Sequence, residues 1–177
     1  MKAIATLAAL SLLIIGQAHS QDQRAVSNQK KETMNKENQG EQYTFQLSDK
    51  VTRQKVTFIN RYGIQLAGDL YLPVRQAGLP RNAGGKSLAA LAISGPFGAV
   101  KEQSSGLYAQ NMAERGFAAL AFDPSYTGES GGEPRNVASP DINTEDFSAA
   151  VDFLGLQNNI DRNRIGIIGI CRFAGWD

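Results

Sequence analysis

Short apolar runs alternate with amphipathic stretches along most of this chain, from about residue 51 to residue 170. Three of the runs are continuously apolar, which is typical of strands buried on both faces of a sheet: residues 88–93, 117–122 and 166–170. Two earlier runs flank the turn at residues 60–63 and predict an antiparallel hairpin. Pro73 ends the second of them because it has no backbone donor. The pattern therefore predicts five strands.

Two amphipathic stretches lie between these runs and predict helices. The first is followed by Gly116 as a C-terminal stop, and its face residues are Tyr108, Ala109, Met112 and Ala113. The second follows Asn143 as its expected N-cap, with Glu145 and Asp146 in the first turn. Its apolar residues recur at i, i+3, i+4 and i+7: Phe147, Ala150, Val151 and Leu154. Strands that alternate with helices indicate a largely parallel α/β sheet.

The first 20 residues have the form of a secretory signal peptide. Lys2 precedes a short apolar run, and Ala18 and Ser20 are the small residues expected before a cleavage at Gln21. The run is shorter than the ~20 residues that span a bilayer, so we expect bacterial export, to the periplasm or medium, and no stable membrane anchor; an uncleaved anchor is the alternative. Residues 21–50 are rich in Gln, Asn, Lys and Glu and are expected to form a polar, flexible leader. Residues 51–177 are then the α/β domain.

Charge and composition exclude several classes of partner. The 18 basic and 17 acidic residues form no basic block, which argues against nucleic acid and anionic lipid. One cysteine and one histidine, His19, leave no ligand set for zinc and no internal disulfide. We therefore expect neither a metal nor an organic cofactor, and the sequence carries no signal for an oligomeric state.

The strongest candidate for chemistry is Cys171, at the end of the last apolar run. Gly169-Ile170-Cys171 reads as a strand that runs into a turn, which is how a nucleophile elbow presents its side chain above a sheet. The backbone N–H of Arg172, directly after it, would then be one oxyanion donor. A structural cysteine that closes a core strand is the alternative.

A second candidate directly follows the run at residues 88–93. The segment from Ser94 to Gly98 is a glycine-rich turn that can direct a backbone N–H at the same oxyanion. Pro96 has no N–H, so Phe97 or Gly98 would supply it. An ordinary strand-to-helix turn is the alternative. Asp123, at another strand end, fits a turn or cap better than a catalytic acid.

With these residues in place, the chain resembles the α/β-hydrolase superfamily, specifically its dienelactone-hydrolase-like and peptidase-like bacterial branch. The likeness covers residues 56–73, 92–102, 113–132 and 143–171, and residues 123–131 are similar to the family's Asp-x-Arg-Gly-x-Gly-x-Ser loop. The resemblance implies the strand order 1-2-4-3-5. It implies hydrolysis of a small-molecule ester, lactone or amide by the Cys171 thiol, without a cofactor. Phe97 and Arg172 stand at the oxyanion-hole positions, and Asp123 is structural.

The chain also departs from this family. Arg172 and Ala174 stand where the elbow has glycine, and the family's downstream acid and histidine have no counterparts in these 177 residues. We therefore expect an inactive N-terminal half of the fold, cut by a frameshift just after Cys171, with residues 166–170 as a bare apolar edge. A non-catalytic exported binding protein on the same fold is the alternative.

Overall fold

The computed structural model describes residues 43–74 and 88–171. The signal-peptide prediction, most of the expected leader, Arg172 and Ala174 lie outside the described residues. The elements, in chain order, are strands β1 (Val51–Ile59), β2 (Gln65–Pro73) and β3 (Leu88–Ser94), helix α1 (Ser104–Glu114), strand β4 (Ala118–Phe122), helix α2 (Pro140–Gly155) and strand β5 (Ile160–Gly169).

The five strands form one mixed sheet in the order β1-β2-β4-β3-β5. Strand β2 pairs antiparallel with β1 and with β4, whereas β3 pairs parallel with β4 and with β5. The predicted α/β class, the hairpin and the strand order are confirmed. The carboxyl ends of β3, β4 and β5 consequently meet at one edge of the sheet, and the candidate residues lie there.

The sheet separates two apolar layers. On one face, Leu66, Leu70 and Phe122 pack with Leu154 of helix α2; on the other, Ile93 and Tyr71 pack with the alanines of helix α1. Strand β4 is buried along its whole length, as its continuous apolar run predicted. Aromatic pairs extend the α2 layer, with a centroid separation of 5.2 Å between Phe58 and Phe153. Each Å² of apolar surface removed from water in these layers stabilises the fold by roughly 25 cal/mol.

Both helices differ from expectation in detail. In α1, Ala109 and Ala113 are buried as predicted, but Tyr108 is exposed. Helix α2 begins at Pro140, not at Asn143, since proline suits the first helical position, where no N–H is needed. Asn143 still serves the helix start, because its Oδ1 accepts a hydrogen bond from the Ser139 N–H at 3.2 Å.

The folded part starts earlier than the boundary expected at residue 51. Residues 43–50, here called the strap, lie across helix α1, and the unit that contains them begins at Tyr43. The N–H of Thr44 donates to the Glu102 carbonyl (3.0 Å), and the N–H of Ser48 donates to Gln110 Oε1 (3.0 Å). Phe45 packs against the apolar layer beside α1. Because residues 21–50 are mostly polar, their composition does not indicate that the strap contacts the folded part. Within residues 43–74 and 88–171, no helix is long and apolar enough to cross a bilayer.

Candidate active site

Cys171 lies immediately beyond strand β5. Its neighbour Ile170 donates a backbone hydrogen bond to the Ser94 carbonyl at 3.1 Å, which continues the β3–β5 pairing to the end of both strands. Cys171 is exposed. The thiol residue therefore leaves the sheet beside the loop that follows β3, the loop that holds the second candidate.

The backbone of Cys171 is left-handed, with a φ of +64°. A non-glycine residue in this region costs of order 1–3 kcal/mol, and such residues cluster at functional sites. A strand that ends in one strained, exposed residue is the arrangement expected of a nucleophile elbow.

The loop between β3 and α1 (residues 95–103) contains the Phe97 turn. The Ala99 N–H donates to the Pro96 carbonyl at 3.0 Å, and Gly98 has a φ of +81°. This combination defines a type II turn, with Phe97 at its first central position and the glycine that such a turn requires at its second. The Phe97 side chain is half-exposed. The structure thus brings the Phe97 turn and Cys171 to the same sheet edge, on adjacent strands, whereas Arg172 lies outside the described residues.

Asp123, at the end of β4, is fully buried, and both of its carboxylate oxygens are occupied. Oδ1 accepts the Lys101 N–H at 2.7 Å, and Oδ2 accepts the Glu129 N–H at 2.9 Å. Burial raises the pKa of this carboxyl, while those N–H groups and the charge of Lys101 act in the opposite direction. Asp123 joins the β3–α1 loop to the β4–α2 loop, which agrees with a structural role.

Lys101 is the site residue that sequence reasoning missed. Its side chain is fully buried, and Nζ lies 2.5 Å from Glu102 Oε1, 2.7 Å from Glu129 Oε2 and 3.3 Å from Asp123 Oδ2. Burial alone would lower the pKa of Lys101, but the hydrogen bonds to Glu102 and Glu129 and the charge of Asp123 outweigh burial and raise it. A lone Lys-Glu pair after a turn normally indicates a solvated surface, so nothing in the sequence pattern pointed to this cluster.

A further buried acid, Asp69, lies on β2 and is fully buried. Its Oδ2 accepts a hydrogen bond of 2.7 Å from the Tyr43 hydroxyl of the strap. Burial raises the pKa of Asp69, and the Tyr43 hydrogen bond and the charge of Lys101 offset only part of that effect. Among the described residues, no group of three or more His, Cys, Asp or Glu could hold a metal ion.

Comparison with known proteins finds relatives of this chain, some of which are named as hydrolases. No protein-family model matches the chain. It is 70% identical over 132 residues to the uncharacterized protein PA2218 of Pseudomonas aeruginosa, a match that covers 75% of this chain and 34% of the relative. It is 34% identical over 123 residues to the thiohydrolase aneE of Aspergillus aculeatus, covering 70% of this chain and 35% of that protein. The chain thus spans about a third of the length of these relatives.

Two solved structures are also similar to this chain. The crystal structure of PA2218 superposes with a TM-score of 0.67 at 71% identity, covering 73% of this chain and 38% of that one. The α/β hydrolase GrgF from Penicillium sp. sh18 superposes with a TM-score of 0.57 at 27% identity, covering 68% of this chain and 38% of that one. The described residues therefore have an α/β-hydrolase-like fold, and the relatives support a hydrolase-like function.

Proposed function

We propose that the protein carrying this chain is an acyl hydrolase that cleaves a small-molecule ester, lactone or amide through a covalent intermediate on Cys171. The observation that carries the proposal is the left-handed backbone of Cys171, which follows Ile170 at the carboxyl end of β5, where the Ile170 N–H binds the Ser94 carbonyl. Membership of the dienelactone-hydrolase-like or peptidase-like branch is part of this proposal. So is export after removal of residues 1–20.

The chemistry begins with attack of the Cys171 thiolate on the substrate carbonyl carbon. A C–S bond forms, and the π electrons of the carbonyl move to its oxygen. The backbone N–H groups of Phe97 and Arg172 donate to that oxyanion, which is where negative charge develops. Collapse reforms the carbonyl and breaks the bond to the alcohol or amine, which leaves with a proton. Water then cleaves the thioester, releases the acid and restores the thiol.

Two of these steps need a proton carrier, a role that histidine fills most often. The only histidine in the sequence is His19. Without a general base to take the thiol proton and later activate water, triad enzymes lose several orders of magnitude in rate. We propose that a polypeptide of these 177 residues, taken alone, accepts an acyl group from an activated ester but does not turn over.

Stoichiometric acylation tests the proposal. The purified chain is mixed with p-nitrophenyl acetate or an activated thioester, and acyl transfer is followed by nitrophenol release and intact mass. Because the sequence has a single cysteine, any thiol adduct reports Cys171. We expect one equivalent of acyl enzyme, absent in Cys171→Ala, and no steady-state release. An acylation rate no higher than that of free cysteine, after correction for intrinsic thiol reactivity, would count against an acyl hydrolase and in favour of a binding protein.

A further inference from the structure

The β3–α1 loop is fixed to the fold on each side of the Phe97 turn. At its start, Ser94 accepts the Ile170 N–H and its hydroxyl donates to the Phe122 carbonyl at 3.4 Å. Past the turn, the Lys101 N–H binds Asp123. The position of the turn relative to Cys171 therefore depends on how rigidly Lys101 is held.

We propose that Lys101 is a positioning residue, whose buried ammonium group fixes the Phe97 turn as an oxyanion donor for Cys171. The inference rests on the proposed acyl transfer and adds to it a residue that does not contact the reacting atoms. Lys101 acts through Asp123, because the same carboxylate binds both its ammonium group and its backbone N–H.

The β4–α2 loop and the carboxylates around Lys101 hold its ammonium group in place. Asp123 also accepts the Glu129 N–H, and Glu129 returns its own carboxylate to Lys101 Nζ, so the β4–α2 loop closes around the lysine. Gly128 has a φ of +54°, and a Cβ at that position would collide with the Asp123 carboxylate. Three carboxylates surround one buried cation. Without the ammonium group, Asp123 would remain buried with no counter-charge and would have to protonate or move.

A purely structural lysine and a positioning lysine predict different ratios of the acylation rate to the alkylation rate of Cys171. Acylation of Cys171 by p-nitrophenyl acetate passes through a tetrahedral oxyanion, which the Phe97 turn would stabilise. Alkylation by iodoacetamide displaces iodide and forms no such oxyanion, so it reports only thiol exposure and ionisation. The ratio of the two second-order rate constants isolates the oxyanion contribution.

We expect this ratio to fall about tenfold in Lys101→Met, since complete loss of one oxyanion donor costs about 10²–10³-fold and displacement costs less. The alkylation rate should change less than twofold. The matched control is Lys55→Met, which removes a half-exposed lysine bound to the same Glu129 carboxylate at 3.2 Å. Lys55 lies on β1, which is not a neighbour of β3 in the sheet. Its ratio should equal that of the unmodified protein.

Glu129→Gln is the second variant, because Glu129 is half-exposed and its loss should leave the fold intact. It removes one anion from Lys101 and should lower the ratio about threefold, in line with partial loss of a charge-assisted contact. If Lys101→Met does not fold, Glu129→Gln decides alone. An unchanged ratio in the folded variants overturns the positioning role. If the unmodified protein itself shows only the ratio of free cysteine, it is the proposed acyl transfer that fails.

Discussion

The side-chain amide of Asn60 donates a hydrogen bond to Asp146, with a distance of 2.8 Å between Nδ2 and Oδ1. This contact joins the β1–β2 turn to helix α2. Asp146 is fully buried and also accepts the N–H and hydroxyl of Ser125, at 2.8 and 2.7 Å, and the amide of Asn143 at 3.2 Å. One carboxylate therefore satisfies donors from three separate segments.

Removal of this carboxylate should be among the most damaging single changes to the fold. We expect Asp146→Ala to lower the free energy of unfolding by about 3–5 kcal/mol, because it leaves several buried donors without an acceptor. Urea denaturation followed by circular dichroism measures the loss. Asp152→Ala, on the exposed face of the same helix, is the control and should stay within about 0.5 kcal/mol. Equal effects of the two variants would show that Asp146 does not organise the three segments in solution.

Alanine variants of Gly128 and Gly63 distinguish the cost of a steric collision from the cost of backbone strain. Both have positive φ, but a Cβ at Gly63 meets nothing within 4 Å, whereas one at Gly128 collides with Asp123. We expect Gly63→Ala to cost about 1 kcal/mol from strain alone. Gly128→Ala should cost at least about 2 kcal/mol more, because Asp123 must move away from Lys101. Thermal denaturation of the two variants gives the comparison, and similar midpoints would contradict a tightly packed carboxylate.

The left-handed backbone of Cys171 predicts a conflict between stability and the proposed chemistry. Cys171→Gly and Cys171→Ala both remove the thiol and should both abolish acylation. Only glycine relieves the left-handed backbone, so Cys171→Gly should be more stable than Cys171→Ala by about 1 kcal/mol. Chemical denaturation of the two variants supplies the difference. An alanine variant as stable as the glycine variant would mean that the left-handed conformation is not kept in solution.

Asp69 predicts a pH-dependent stability with a defined sign. Burial raises its folded-state pKa above the unfolded value of about 3.9. Stability is therefore greatest below the unfolded pKa and falls as pH rises from there through the folded pKa, because the folded chain keeps a proton that the unfolded chain has lost. Asp69→Asn keeps an acceptor for the Tyr43 hydroxyl and removes the titration. Its stability relative to the unmodified protein should therefore improve between pH 4 and pH 7, measured by urea denaturation at several pH values.

Glu129 serves as a control, because its titration should change stability with pH in the direction opposite to that of Asp69. Its hydrogen bond to Lys101 lowers the pKa of the Glu129 carboxyl, and that stabilisation is present above the unfolded pKa and lost as pH falls through the folded one. Glu129→Gln should accordingly weaken the protein more at pH 7 than at pH 3. If both variants show the same pH trend, the two environments are not distinct in the way the structure indicates.

The buried strands and helix faces could be predicted from the sequence, because buried apolar residues recur at regular spacings. The continuous run that became β4 and the alanine spacing of α1 each map directly onto a buried strand or face. The strand order came from resemblance, not from periodicity, since a pattern along one chain does not reveal which strands are neighbours. The positions of Cys171 and the Phe97 turn at one sheet edge follow from that order.

The polar organisation was not readable, because each buried polar residue depends on partners remote in sequence. Lys101 needs the loop after β4, and Asp146 needs Asn60, which precedes it by 86 positions. The sequence predicts Asp146 in the first turn of its helix, as a partner of the helix dipole. In the structure the helix starts earlier, and the carboxylate serves other segments. Tertiary hydrogen bonding of this kind leaves no periodic trace.

The position of β3 between β4 and β5 has a consequence for synthesis on the ribosome. Strand β3 is flanked by β4 and β5, and β5 follows β4 by roughly 40 residues, which take about 2–8 s to add at ~5–20 residues per second. During those seconds the hydrogen-bonding edge of β3 that will receive β5 is already synthesised and still unpaired. A nascent chain should therefore present an edge open to pairing with other strands at that stage, until β5 emerges.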